Sequence, residues 1–169
     1  MKIKQYLKDE ALKAIDSWSE DEIYAISFYV YQNISNEYKG YANTVEFHVS
    51  YNTESDCPGA GAFDEERWNY AFWRQDTTTI LDPFAAEDKA MDMIIAHYKN
   101  DWNNVYEKLL ALISTIAREL QLEGVVTRKF GKIPIIVHGL EISPLIIEAT
   151  THANPNGEAD TFLQATKNW

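Results

Sequence analysis

The segment Val105–Leu122 constrains the fold of this chain most strongly. Its apolar residues recur at steps of three and four, which places them on one face of an α-helix and the charged residues on the other. We expect Asn103 or Asn104 to cap the start of this helix and Gly124 to end it in the left-handed conformation. Other elements must pack on its apolar face, whose members are Val105, Leu109, Leu112, Ile113, Ile116, Ala117 and Leu120.

The composition predicts one globular domain with an acidic surface. Of the 169 residues, 46% are hydrophobic, which is enough to fill a sizeable core. Lys and Arg number 15 against 26 Asp and Glu, so the formal net charge is −11. This excess disfavours contact with nucleic-acid phosphates or anionic lipid. We therefore expect a basic protein partner or a plain soluble role, with no nucleic acid and no membrane.

The sequence also indicates a compartment. The first residues carry charges throughout and lack the apolar run of a signal peptide, and no stretch approaches the ~20 apolar residues of a membrane span. Cys57 is the only cysteine, which excludes an internal disulfide and agrees with a reducing environment. We expect a cytoplasmic protein.

The first third of the chain predicts one helix and two strands. Apolar residues at helical spacing over residues 3–15 indicate an amphipathic helix. Residues 23–31 form an apolar run rich in β-branched and aromatic side chains, as in a strand buried on both faces. Residues 45–51 alternate between apolar and polar, as in a half-buried strand. The two strands should pair antiparallel through a long hairpin across the polar residues 32–40.

The rest of the chain predicts short elements. Residues 52–61 predict an exposed loop. Residues 63–74 predict a helix capped by Asp64, with Trp68, Ala71 and Phe72 on its buried side. The other predicted elements are an extended or turn segment over 77–83, helices over 85–98 and 158–167, and one or two strands over 125–137. Residues 142–149 fit either a strand or a helix, and Pro144 near their start favours the helix.

These patterns predict an α/β or α+β fold in a single domain over residues 1–169. We expect a mainly antiparallel sheet of about four strands, packed on one or both faces by helices that include Val105–Leu122.

The usual motifs of nucleophilic catalysis and nucleotide binding are missing. The chain lacks a Gly-x-Ser-x-Gly elbow, and Cys57 has no sequence signature of a nucleophile. Gly59-Ala60-Gly61 is similar to the opening of a dinucleotide-binding fingerprint, but Asp64 stands at the third glycine position, where a carboxylate repels phosphate. We therefore predict no cofactor.

The histidines do not predict a metal site. His48, His97, His138 and His152 lack the spacing of common zinc motifs. Acid–base catalysis needs paired groups across a cleft, and the 26 acidic residues offer too many pairs to rank. An unrecognised site that uses His48, Glu46 or His138 therefore stays open.

The distribution of charge is the most informative feature for function. Residues 54–92 contain ten acidic and three basic side chains, a net charge of −7 out of −11. Such a segment is either a solvated surface or a docking surface for a basic protein, in which acids steer association and Tyr51, Phe63 or Trp73 provides an anchor. The predicted partner-binding residues are Glu54, Asp56, Asp64, Glu65, Glu66 and Trp73.

Four short segments together resemble a known bacterial family. They are residues 23–29 (IYAISFY), 66–71 (ERWNYA), 130–134 (FGKIP) and 153–155 (ANP). The family they resemble is domain of unknown function 4303. The resemblance spans most of the chain, and its motifs are structural, so it implies no catalytic residues. Small acidic domains of this sort look like immunity proteins of bacterial toxin systems, which bind and block a secreted toxin.

The sequence thus predicts a non-enzymatic acidic binding protein of the immunity type, which neutralises a basic toxin or another basic protein. One alternative is a small cytosolic hydrolase-like enzyme with a histidine and carboxylate site. The other is a homo-oligomeric structural protein, which a symmetric apolar interface would support.

Overall fold

A long β-hairpin forms the centre of the fold in the computed structural model, which describes residues 2–73 and 78–169. Strand β1 (Ile23–Tyr38) pairs antiparallel with β2 (Tyr41–Thr53). Lys39 and Gly40 connect the strands, and both have the positive φ that a tight hairpin turn requires, 50° and 85°. The sequence predicted a polar loop over residues 32–40. The structure instead continues β1 to Tyr38, because pairing with β2 satisfies the backbone there while the side chains of residues 32–37 stay exposed or half-buried.

Two short strands complete a single four-stranded sheet in the order β3-β2-β1-β4. Strand β3 (Thr78–Leu81) pairs antiparallel with β2. Strand β4 (Ile135–His138) pairs parallel with β1. The fold is therefore α+β, and its sheet is mixed, whereas the sequence predicted a mainly antiparallel one. A parallel neighbour needs a long crossover, which the helices between β1 and β4 provide.

Helices surround this sheet. Residues 125–127, which were predicted as a strand, belong to helix α5. Helix α6 begins at a proline, as its sequence indicated. In the described part of the chain the α-helices are α1 (Ile3–Ser17), α2 (Glu65–Trp68), α3 (Lys89–Tyr98), α4 (Val105–Leu122), α5 (Val125–Phe130), α6 (Pro144–Ala153) and α7 (Asp160–Ala165). Short 3-10 segments lie at Glu54–Asp56, Tyr70–Phe72, Lys99–Asn104 and Thr166–Asn168, and the third is interrupted at Asp101. None of the helices within the described ranges is both long and apolar enough to cross a membrane.

The main core lies between one face of the sheet and helices α1, α3 and α4. The apolar face of α4 is buried as predicted, although Leu112 is only partly covered. Phe28 of β1 and Phe47 of β2 meet edge to face with their ring centres 5.4 Å apart. Gly124 ends α4 with φ of 68°, as predicted. Asn104 occupies the N-cap position, but its side chain makes no capping hydrogen bond because a 3-10 turn runs directly into the helix.

The opposite face of the sheet is covered only in part. Near the start of β1 a second apolar cluster forms around Tyr24, Trp68, Trp73 and Phe162, and α2 and α7 lie over it. Farther along the hairpin the same face carries aromatic and polar side chains that no helix buries. The fold thus leaves polar side chains uncovered on one half of the sheet face opposite the main core.

Two predicted elements differ from the structure. The sequence predicted a strand at residues 125–127, but α5 forms there because the left-handed turn at Gly124 starts a new helix that buries Val126. The helix predicted over 63–74 is broken after Trp68, since the Asn69 side chain accepts a hydrogen bond from the Ala71 amide and starts a 3-10 turn. Residues 74–77 lie outside the described part.

Side chains of α6 close the outer edge of β4. Asn154 accepts a hydrogen bond from the Ile135 amide at 3.0 Å and donates one to the Ile135 carbonyl at 2.7 Å. One turn earlier, the Thr150 hydroxyl contacts both backbone groups of Val137, at 3.1 and 3.2 Å. These bonds satisfy backbone groups at the edge of the sheet that would otherwise be free to pair with another chain.

Candidate functional site

Four of the predicted partner-binding acids lie where β2 ends and the chain turns toward α2. Glu54 and Asp56 belong to the 3-10 turn that follows β2. The Asp56 carboxylate accepts hydrogen bonds from the Thr53 amide at 3.1 Å and the Thr53 hydroxyl at 2.6 Å, which fixes its position. Asp64 was predicted to cap α2, but its carboxylate instead accepts a hydrogen bond from the Gly61 amide at 2.7 Å. Local turns therefore hold these carboxylates in place.

Three of these acids line one depression in the surface. Asp56, Asp64 and Glu66 face it together with Phe72, and we call it the acidic depression. Its volume is about 400 Å³, and no Lys or Arg is among the described residues that line it. Phe72 was predicted to be buried but is 54% exposed, so an apolar side chain stands beside three carboxylates.

Arg67, the basic residue that follows Glu66 in sequence, is already paired with Glu54. The Arg67 guanidinium donates to both oxygens of Glu54, at 2.7 and 2.5 Å, and lies 3.9 Å from the centre of the Tyr24 ring. Hydrogen bonding to Arg67 lowers the pKa of the Glu54 carboxyl. Glu54 therefore serves an internal ion pair with Arg67.

Trp73 does not provide the predicted anchor. Its side chain is 3% exposed, its indole donates to the Arg67 carbonyl at 2.9 Å, and its ring lies 5.1 Å from that of His138. Tyr51 is likewise buried. The exposed aromatic residues near the depression are Phe72 and Phe63, the latter 49% exposed. Trp73 is thus a core residue that supports the α2 region.

The fold separates the acids of residues 54–92 into two groups. Residues 54–66 lie at the Ile23 end of the hairpin, since the Glu54 amide donates to the Glu22 carbonyl. Asp92 lies at the opposite end, where Lys39 of the hairpin turn donates to it at 2.6 Å. Asp76 lies outside the described residues. The sequence could not foresee this separation, because it depends on the direction in which the hairpin runs.

Glu65 points away from the acidic depression. It lines a different cavity, of about 460 Å³, together with Tyr29, Tyr70 and His138. The Asn69 amide donates to the Glu65 carboxylate at 2.7 Å. The predicted partner-binding set is therefore divided between two recesses on either side of α2.

His138 sits in the floor of this second cavity and is fully buried. Its Nε2 lies 3.1 Å from the Trp68 carbonyl, which can only accept, so Nε2 carries the proton. Its Nδ1 then accepts from the Ser27 hydroxyl at 2.8 Å. Burial lowers the pKa of His138 to about 4. The imidazole is neutral at pH 7 and is held in one tautomer.

A second polar group lies on the open half of the sheet face. His48 Nε2 is 3.1 Å from Glu46 Oε2, and His48 Nδ1 is 3.0 Å from the Thr79 hydroxyl. Thr79 faces His48 directly across the β2–β3 ladder, so sheet register brings the three side chains together. The rings of Tyr29 and Tyr70 lie between His48 and His138. The catalytic candidates named from sequence therefore form two separate groups.

The sequence did not indicate Thr79 or Phe72 as functional residues. The signal for Thr79 was weak, because a four-residue edge strand shows no clear alternation. Across residues 2–73 and 78–169, no three His, Cys, Asp or Glu side chains are grouped so that they could hold a metal ion.

Comparison with protein-family models, curated proteins and solved structures finds no match for this chain. The resemblance to domain of unknown function 4303 therefore stays a prediction.

Proposed function

We propose that this protein is a non-enzymatic binding protein that docks a basic protein partner at the acidic depression. The observation that carries this proposal is the grouping of Asp56, Asp64 and Glu66 around one recess beside the exposed ring of Phe72. Carboxylates steer a basic partner toward the surface, and an aromatic side chain supplies the apolar contact that binding energy needs.

The local structure favours recognition of a protruding Lys or Arg side chain. A recess of about 400 Å³ is large enough to admit the end of such a side chain. Asp56 and Asp64 are held by bonds to Thr53 and Gly61, so little conformational entropy is lost when a cation binds between them. Glu66 lies on the short helix α2 beside them.

An immunity-type role belongs to the same proposal. A protein that neutralises a basic toxin needs a negatively charged, preorganised surface and no catalytic apparatus of its own. The net charge of −11 adds long-range attraction to the local recess. In this role the protein would recognise the toxin by the toxin's basic surface.

The experiment that tests this function is capture of partners by the tagged protein from its native cell extract, washed at low and at high salt. We expect a basic protein to be retained at low salt and weakened at high salt, because salt screens exposed charge pairs. Retention of only neutral or acidic proteins, with no dependence on salt, would contradict the proposal.

A second candidate function is a hydrolase, and the specific observation in its favour is the chain of contacts from Thr79 through His48 to Glu46. In this hypothesis the Thr79 hydroxyl is the nucleophile, His48 takes its proton, and Glu46 orients the imidazole. The arrangement lies on an open sheet face, however, and is also what ordinary cross-strand neighbours form. We therefore rank it second.

A further inference from the structure

The cavity on the Glu65 side of α2 has the size and lining of a small-molecule site. Its volume of about 460 Å³ falls within the range of known ligand sites. We call it the aromatic cavity, and it is defined by Tyr29, Glu65, Tyr70, His138, Glu141 and Trp169. It lies between the 3-10 turn after α2, the loop that follows β4, and Trp169.

Stacked rings form one wall of the aromatic cavity. Tyr29 and Tyr70 stack with their centres 4.5 Å apart and their planes 15° from parallel. Burial raises the pKa of both tyrosines, that of Tyr29 to about 12, and the Tyr70 ring lies 5.3 Å from that of His138. Both hydroxyls are therefore uncharged at pH 7.

The charge of the aromatic cavity is negative. Glu65 and Glu141 contribute carboxylates, and none of the described residues that line the cavity is Lys or Arg. His138 cannot offset them, because both of its ring nitrogens are engaged in hydrogen bonds and the ring is neutral. A cation is thus the charge that this lining would favour.

The mouth of the aromatic cavity is apolar. Leu140 is 73% exposed and Trp169 is 43% exposed, and both line the cavity. Ile142 adds a third exposed apolar side chain at the same opening. Covering these exposed side chains with the apolar part of a ligand would contribute favourable free energy to binding. A hydrated metal ion has no such apolar part.

We propose that the aromatic cavity binds an organic cation, an ammonium group carried on an apolar body. The aromatic wall and the two carboxylates would hold the cationic end, and the side chains at the mouth would cover the rest. This site is separate from the acidic depression and does not depend on the proposed protein partner.

The test uses two organic cations, choline and benzyltrimethylammonium, and one neutral compound, 3,3-dimethyl-1-butanol. In this neutral compound a carbon atom replaces the charged nitrogen of choline. Binding is followed by NMR through the Trp169 indole and the Gly139 amide, which lie in the lining. We expect both cations to shift these signals and benzyltrimethylammonium to bind more tightly. Equal binding of choline and dimethylbutanol, or no shift with either cation at millimolar concentration, would overturn the proposal.

Two isosteric variants provide the matched comparison. Glu65→Gln combined with Glu141→Gln removes both charges from the cavity and should weaken choline binding about tenfold, which corresponds to the loss of two exposed charge pairs. Glu37→Gln combined with Glu87→Gln removes two charges from exposed residues outside the cavity lining and should leave choline binding unchanged. Equal losses in the two variants would mean that only the overall charge of the protein matters, and would overturn a specific site.

A further comparison distinguishes the source of the cation. A short peptide that contains trimethyllysine carries the same group on a protein chain. Tighter binding of the peptide than of benzyltrimethylammonium assigns the site to the side chain of a protein, and the reverse order assigns it to a free small molecule. Either order of affinity supports the cation site. These results do not depend on whether the acidic depression binds a basic protein.

Discussion

Glu65 and Glu66 are consecutive residues of α2, yet they line different recesses of the surface. Glu65 faces the aromatic cavity and Glu66 faces the acidic depression. The following turn repeats the division, with Ala71 on the cavity side and Phe72 on the depression side. The segment from α2 through this turn therefore separates the two candidate sites, and we expect a single substitution there to affect one site at a time.

The side-chain closure of the β4 edge predicts a large loss of stability on substitution of Asn154. Asn154→Ala leaves the buried amide and carbonyl of Ile135 without their partners. We expect the free energy of unfolding to fall by about 2–4 kcal/mol. Urea denaturation at neutral pH measures this change.

A neighbouring threonine on α6 gives the control for Asn154. Thr151 is exposed, and its hydroxyl donates to the Ile147 carbonyl of the same helix. Thr151→Ala should change stability by no more than about 0.5 kcal/mol. If Asn154→Ala were equally mild, the two hydrogen bonds to Ile135 would not be closing the edge.

The buried His138 predicts that stability rises with pH in a defined window. Its pKa is about 4 in the folded protein and about 6.5 when unfolded, so the unfolded chain binds the proton first as pH falls. The contribution is complete above about pH 6.5 and is lost between that value and about pH 4, by an amount on the order of 3 kcal/mol. Urea denaturation across this range measures the slope.

His138→Gln should flatten the slope, because the amide can still donate toward the Trp68 carbonyl but does not titrate. His97→Gln is the matched control, since His97 is exposed on α3 and should leave the slope as it is. An unchanged slope in His138→Gln would show that other groups cause the pH dependence.

If the protein is a binding protein and not a hydrolase, the His48, Thr79 and Glu46 group takes no part in catalysis. Hydrolysis of a simple activated ester should proceed at the same rate for the unmodified protein, His48→Gln and Thr79→Val, once background hydrolysis is subtracted. A rate that falls about a hundredfold in both variants would favour the hydrolase instead, since positioned general-base catalysis has effects of that size.

Patterns of local periodicity predicted most of the elements, and their errors have physical causes. Helix α4 and the β1–β2 hairpin follow from the spacing of apolar residues and the turn at Lys39-Gly40. The parallel pairing of β4 with β1 could not be predicted, because a buried strand of four residues fits either strand direction. Helix α5 was missed because its β-branched residues favour strands locally, whereas the turn at Gly124 and the burial of Val126 decide the helix.

The candidate site was only partly predictable for a related reason. Charge counts identified the region around Asp56, Asp64 and Glu66, since local composition does not depend on tertiary structure. Which aromatic residue would be exposed was not predictable: Trp73 is buried and Phe72 is not, because the break at Asn69 rotates the segment away from a single helical face. The aromatic cavity joins residues far apart in sequence, so no local pattern indicated it.

The measurement that tests the central claim most directly is the affinity of Glu66→Lys for the basic protein retained at low salt. Charge reversal in the acidic depression should weaken binding about tenfold or more at low salt, mainly through slower association, and the difference should shrink at high salt. Glu37→Lys makes the same change in net charge at the opposite end of the hairpin, where Glu37 is exposed, and should stay within about twofold of the unmodified protein. Equal weakening by both variants, or none by Glu66→Lys, would contradict docking at the acidic depression.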